Sequence, residues 1–92
     1  MLSQLPVDIK RSSPEEIDRA ILRAGIIAEL DAITFYEQMA QMASEEKIKK
    51  VLLEIAREEK THLGEFQALL LQKDPQQKEE LEKGKKETAE LS

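Results

Sequence analysis

The chain predicts an all-α fold: a two-helix antiparallel hairpin plus a short C-terminal helix, with two hairpins pairing into a four-helix bundle. Three observations carry this expectation. The chain is 40% hydrophobic, 36% charged and only 3% aromatic, with three glycines and three prolines, a profile of long amphipathic helices rather than strands. Apolar residues recur at alternating steps of three and four through two segments, which is helical periodicity. Each stripe is interrupted near its middle by potential metal ligands, Glu29 on the first and Glu59 with His62 on the second.

The elements follow in order. Residues 1–12 mix Pro6, short polar residues and two basic ones and read as an irregular arm. Ser13-Pro14-Glu15-Glu16 starts the first helix: Ser13 caps, Pro14 suits the first helical position, and Glu16 completes a capping box. The first stripe runs through Leu22, Ile26, Ile33 and Tyr36, with Glu29 in the remaining slot. Gly25, a lone glycine inside this pattern, marks close packing. A second start is expected at Ser44, followed by Glu45 and Glu46, which favour a helix N-terminus electrostatically. Its stripe is Ile48, Leu52, Ile55, Glu59, His62, Phe66 and Leu69. The helical hairpin thus occupies residues 13–73. Asp74-Pro75 restarts the chain as a short polar helix, expected to break at Gly84 and to give way to a mobile charged tail within residues 74–92.

Several function classes are excluded. With no cysteine, the chain holds no disulfide, iron–sulfur cluster or thiolate zinc site. Its apolar runs are too short to span a bilayer, so no membrane role is expected. A net charge of −5 argues against nonspecific nucleic-acid binding, which needs a basic face.

The polar residues in the stripes carry the functional reading. An ionised carboxylate among apolar neighbours costs several kcal/mol unless it is paired or coordinates a metal. Folding the hairpin about Ser44 places Glu29, fifteen residues before it, and Glu59, fifteen after it, at the same height, about 22 Å from the turn at 1.5 Å per residue. His62 stands one turn further on the face of Glu59. Di-iron bundles use a Glu from each of two helices and a Glu-x-x-His from each of the other two. This chain offers Glu29 and Glu59-Lys60-Thr61-His62, half of that inventory. A two-fold homodimer supplies both the missing ligands and the missing core, and four carboxylates then balance two ferrous ions. Carboxylates with imidazole suit iron, manganese or zinc, and affinity alone favours zinc or copper over iron, so the spacing gives the class of site more firmly than the metal. Tyr36, two turns from Glu29, is positioned to hydrogen-bond a ligand. Asp31, Glu58 and Glu65 flank the ligand positions, either along a path for incoming metal or as solvated surface charges.

The segments from Ile26 to Glu37 and from Ala56 to His62 resemble the two motif helices of the encapsulated ferritins, the small ferritin-like proteins carried inside encapsulin nanocompartments. The likeness runs from about Glu15 to Leu71 and on to Asp74-Pro75, and is closest to archaeal-type ferritin-like domains, including those fused ahead of the shell protein. The resemblance implies a ferritin-like four-helix bundle with a ferroxidase centre at the dimer interface. Its catalytic, metal-binding residues are Glu29, Glu59 and His62 from each chain. It further implies a ring of five dimers, an encapsulin shell as partner, and a cytoplasmic location inside that compartment. By the same resemblance, Tyr36 lies beside the site and Asp31 aligns with an acidic residue that binds incoming metal. Ala28 departs from the family, standing where other members have a second such carboxylate. The closing Ala89-Glu90-Leu91-Ser92 carries no recognisable encapsulin-targeting tail, which leaves two readings: that segment has been removed, or the natural protein continues into a larger one.

The resulting expectation is a ferroxidase that converts Fe(II) to Fe(III) at a shared di-iron site, for storage inside the shell. Two rivals stand beside it. One is a rubrerythrin-like di-iron peroxide reductase, which would need an external electron donor because the chain has no cysteine for a rubredoxin-type iron. The other is a non-catalytic helical scaffold whose polar seam only specifies association.

Overall fold

The computed structural model describes residues 12–91. The irregular arm expected over residues 1–12 lies outside them except for Ser12. Three helices follow in order: α1 (Pro14–Met42), α2 (Glu46–Lys73) and α3 (Pro75–Glu90). No strand occurs among the described residues, and no helix there is long and apolar enough to cross a membrane.

Helix α1 begins as its sequence dictates. The backbone N–H of Glu16 donates to Ser13 Oγ at 3.2 Å, and the Ser13 N–H reaches back to Glu16 Oε1 at 3.4 Å. Pro14 fills the first turn, where no N–H is needed. The chain then reverses over Ala43, Ser44 and Glu45. Here the structure differs from expectation: the N-cap of α2 is Glu45, with extended backbone (φ −92°, ψ 128°) and no side-chain cap. Ser44 is taken up by the reversal, because Ala43 is still tied to α1 through its N–H to the Met39 carbonyl at 3.0 Å. Three residues are needed to turn the chain, so the helix starts one residue later.

Antiparallel packing of α1 on α2 makes the core, which holds Leu22, Ile33 and Ala40 from α1 and Ala56 and Leu70 from α2. On α1 the buried line coincides with the expected stripe. On α2 it is rotated. Leu52, Ala56, Glu59, Leu63, Phe66 and Leu70 turn toward α1, whereas Ile48, His62 and Leu69 are exposed. The apolar arc of α2 is wider than one helix can cover, and the small Ala56 is among its most buried residues, at 2% exposed. The uncovered part of the arc forms one open face of the hairpin. By helical period, Ile21 and Phe35 of α1 share that face with Val51, His62 and Leu69 of α2. Val51 is 58% exposed. Across the hairpin Lys60 Nζ reaches Glu37 Oε2 at 3.0 Å. This is a surface pair worth about 1 kcal/mol or less.

At the far end Asp74 has two roles. Its Oδ1 accepts the Gln77 N–H at 3.1 Å, capping α3, and its Oδ2 takes Arg23 Nη2 of α1 at 2.5 Å. The start of α3 is therefore pinned, but nothing on α3 is buried, and the molecule is flat, 48 × 43 × 17 Å. The expected break at Gly84 is absent: α3 runs unbroken to Glu90. An interior glycine costs a helix about 1 kcal/mol, and the Gln, Lys and Glu around it are good helix formers. Thr88 Oγ1 also donates to the Gly84 carbonyl at 2.9 Å. The charged segment expected to be a mobile tail is thus helical as far as Glu90.

Candidate metal centre

Glu29 lies mid-way along α1, and Glu59 and His62 stand one turn apart on α2. The hairpin brings all three together. One ligand atom from each lies within 4.8 Å of the others. His62 Nδ1 is 3.5 Å from Glu59 Oε1 and 3.8 Å from Glu29 Oε2. Two donors bound to one ion by bonds of about 2.1 Å stand no more than about 4.2 Å apart, and both distances to His62 fall within that limit. The carboxylates are largely covered, with Glu29 15% and Glu59 20% exposed, whereas His62 is 48% exposed. The cluster therefore faces inward on its carboxylate side and opens at the imidazole, on the uncovered face of the hairpin.

The electrostatics are those of a site lacking a counter-charge. Glu29 holds its proton above the ordinary carboxylate range. The largest cause is hydrogen bonding of its acid form to Glu59, followed by burial and by repulsion from the Glu59 charge; His62 opposes the rise and Glu65 adds to it. Glu29 Oε2 is buried and no hydrogen-bond donor reaches it. Such an oxygen is satisfied by a proton or by a cation. Two carboxylates and an imidazole are hard and borderline donors suited to iron, manganese or zinc. The residues present fit a divalent metal.

The remaining predicted residues are placed less centrally. Glu65 is exposed but lines the small cleft beside the cluster, together with Glu29, His62, Phe66 and Leu69. Tyr36 is half-buried two turns along α1, its ring 5.8 Å from that of Phe35. Asp31 and Glu58 lie on exposed positions outside the three-residue cluster. Periodicity had placed Phe66 in the core. It also forms a wall of the cleft, because the seam on α2 is rotated from the expected stripe. The only signal for this in the sequence was Gly25: a Cβ there would meet three Phe66 ring atoms at 3.2 Å.

Comparison with known proteins agrees with this geometry. The rubrerythrin family pattern matches residues 20–92. The chain belongs to the rubrerythrin family. This rubrerythrin-family chain is a ferritin-like domain of a di-iron protein family. It is 54% identical over 95 residues to the ferritin-like-encapsulin shell fusion protein of Pyrococcus furiosus; the match covers 100% of the chain and 27% of that protein. The chain thus spans about a quarter of the relative's length. The crystal structure of the encapsulated ferritin domain from Pyrococcus furiosus matches it with a TM-score of 0.85 and 52% identity, covering 100% of this chain and 96% of that one. The likeness to encapsulated ferritins read from the two motif helices is therefore borne out over the full length, as is the all-α fold class.

Proposed function

We propose that two copies of this rubrerythrin-family chain pair through the open faces of their hairpins and act as a ferroxidase, oxidising Fe(II) to Fe(III). The observation that carries this reading is the convergence of Glu29, Glu59 and His62, with an unpartnered Glu29 oxygen, at the border of an uncovered apolar face. Half of a di-iron ligand set and half of a bundle core lie on the same surface, so a single two-fold contact completes both. Burial of the exposed Val51, Phe35 and Leu69 drives that contact through the hydrophobic effect.

Iron is the substrate, each Fe(II) losing one electron to oxygen. The residues of the chain bind and orient it. Glu29 gives up its raised proton on binding and its buried oxygen gains a partner. Glu59 supplies the second carboxylate, and His62 supplies a neutral nitrogen through Nδ1, nearest to both. Glu65, in the cleft wall, adds negative potential that attracts cations. Tyr36, Asp31 and Glu58 have supporting roles in this proposal: Tyr36 as a hydrogen-bond donor beside the site, Asp31 and Glu58 as outer carboxylates along the metal path. Manganese or zinc binds the same donors as substitutes.

The Pyrococcus furiosus relative is a ferritin-like-encapsulin shell fusion protein. That supports association of this chain with an encapsulin shell. The wider setting we propose is iron delivered to the shell lumen, a cytoplasmic location within that compartment and, as the family resemblance implies, dimers gathered in a ring of five. A second reading, di-iron peroxide reduction, is favoured by the rubrerythrin family match.

The test is anaerobic addition of Fe(II), followed in parallel by air or by hydrogen peroxide, monitoring ferric absorbance and assembly size. Oxidation by air that saturates near one iron per chain, and is lost in Glu59→Ala, is the expected result. Rapid oxidation by peroxide with none by air would favour the peroxidase. No rate above that of buffer with either oxidant would leave a scaffold.

A further inference from the structure

Gly25 and Phe66 form the layer of the hairpin next to the ligands. Each stands four residues, one helical turn, from Glu29 and His62 respectively. A Cβ at Gly25 would lie 3.2 Å from Cδ1, Cδ2 and Cε1 of Phe66 alike. Equal distances to three ring atoms mean that the ring presents its face to the glycine Cα. The same ring forms a wall of the cleft that holds Glu29, His62, Glu65 and Leu69. Phe66 is therefore wedged between a bare stretch of α1 backbone and the ligand cleft. By contrast, Gly64, two residues away on α2, has nothing within 4 Å of its missing Cβ.

We propose that Gly25 is a positioning residue for the metal centre: its missing side chain seats the Phe66 ring, and the seated ring sets the spacing of Glu29 from His62. The inference rests on the reading of Glu29, Glu59 and His62 as metal ligands. Adding one methyl at Gly25 forces the ring to give by a few tenths of an ångström, away from α1 and against the cleft that it lines with Glu29 and His62. That displacement acts on a separation, now 3.8 Å between Glu29 Oε2 and His62 Nδ1, that must fall within about 4.2 Å for shared coordination. A glycine inside a helix is otherwise a poor choice, since alanine is the better helix former. Stability and metal affinity are thus expected to respond in opposite directions. A purely structural glycine would move stability alone.

The test compares Co(II) binding, read from its visible absorption, with the metal-free thermal midpoint. The proteins are the wild type, Gly25→Ala, Gly64→Ala, Phe66→Leu, the double variant Gly25→Ala/Phe66→Leu, and Glu59→Ala. Gly25→Ala is expected to keep or raise the midpoint while weakening Co(II) binding on the order of 10-fold, the scale of losing a group that orients a ligand. Once Phe66 is Leu, adding Gly25→Ala weakens binding no further, because without the ring the added methyl has nothing to displace, and Gly64→Ala binds as wild type does. Gly25→Ala affinity within twofold of wild type, with Glu59→Ala still defective, overturns the positioning role alone. Wild type and Glu59→Ala binding equally, or not at all, overturns the ligand reading and this inference with it. Equal weakening by Gly64→Ala also overturns it, because the effect would then not need the ring.

Discussion

Glu29 Oε2 on α1 stands 3.8 Å from His62 Nδ1 on α2 and accepts no hydrogen bond. A covered carboxylate oxygen facing an open imidazole is an arrangement that favours a cation over empty space. Glu59 places a second carboxylate beside them, and its hydrogen bond and charge, with burial, raise the pKa of Glu29.

The first prediction concerns pH. In the metal-free protein the folded state holds the Glu29 proton to higher pH than the unfolded chain does. Folded protein therefore binds more protons, and this contribution to stability is present in full below the ordinary carboxylate range and is lost as pH rises through the raised Glu29 pKa. Glu54, lowered by its hydrogen bond to Arg57, contributes with the opposite sign, so a difference measurement is needed. Thermal midpoints with chelator between about pH 4 and 7 should show the wild type losing ground to Glu29→Gln as pH rises. At neutral pH the variant should be the more stable by about 1 kcal/mol, since its amide donates where a buried oxygen now has no partner.

Metal should reverse this ranking. Binding only to the folded form stabilises by about 2.7 kcal/mol when free metal is at a hundredfold excess over Kd. The wild-type midpoint should rise accordingly on adding Fe(II) anaerobically or Zn(II), while Glu59→Ala and Glu29→Gln should respond little. Equal upward shifts in all three proteins would mean that the metal binds elsewhere.

Assembly should depend on the open face. Val51, exposed on α2, belongs to the apolar arc that α1 leaves uncovered. Val51→Glu should leave far-ultraviolet helical signal intact but shift sedimentation toward monomer, and should weaken metal binding because in the proposed dimer each hairpin supplies only half of the ligands. A variant that still sediments as the wild type would place the contact on another face.

Asp74 joins the hairpin to α3 through two bonds, one to Gln77 N–H and one to Arg23. Asp74→Ala should cost about 1 kcal/mol through loss of the cap. Arg23→Ala should cost less, because its partly exposed ion pair is worth about 1 kcal/mol at most. Hydrogen exchange should locate the loss in α3 for Asp74→Ala, with α1 and α2 unchanged.

Much of this molecule was legible before any coordinates. The capping box at Ser13 and Glu16 and the Asp74-Pro75 restart are local signals, and each appears as a hydrogen bond where it was expected. The pairing of Glu29 with Glu59 was legible because helical rise is constant: two helices folded about a short turn must match heights. Local signals failed where neighbours compete. Ser44 does not cap α2, because three residues are needed to reverse the chain. Gly84 does not break α3, because the helix formers around it outweigh one glycine.

The sequence by itself determined the all-α class, the helix starts at Pro14 and Pro75, and the residue types and height of the cluster, since caps and periodicity act over a few residues. Only the tertiary structure decided which part of the wide apolar arc on α2 meets α1. It turned Ala56 and Leu70 inward and left Val51, His62 and Leu69 open, and it laid the Phe66 ring on Gly25. The physical reason is that an arc broader than one seam can close at several rotations with similar hydrophobic gain. Close packing at particular small residues then chooses among them, and that choice depends on both helices at once.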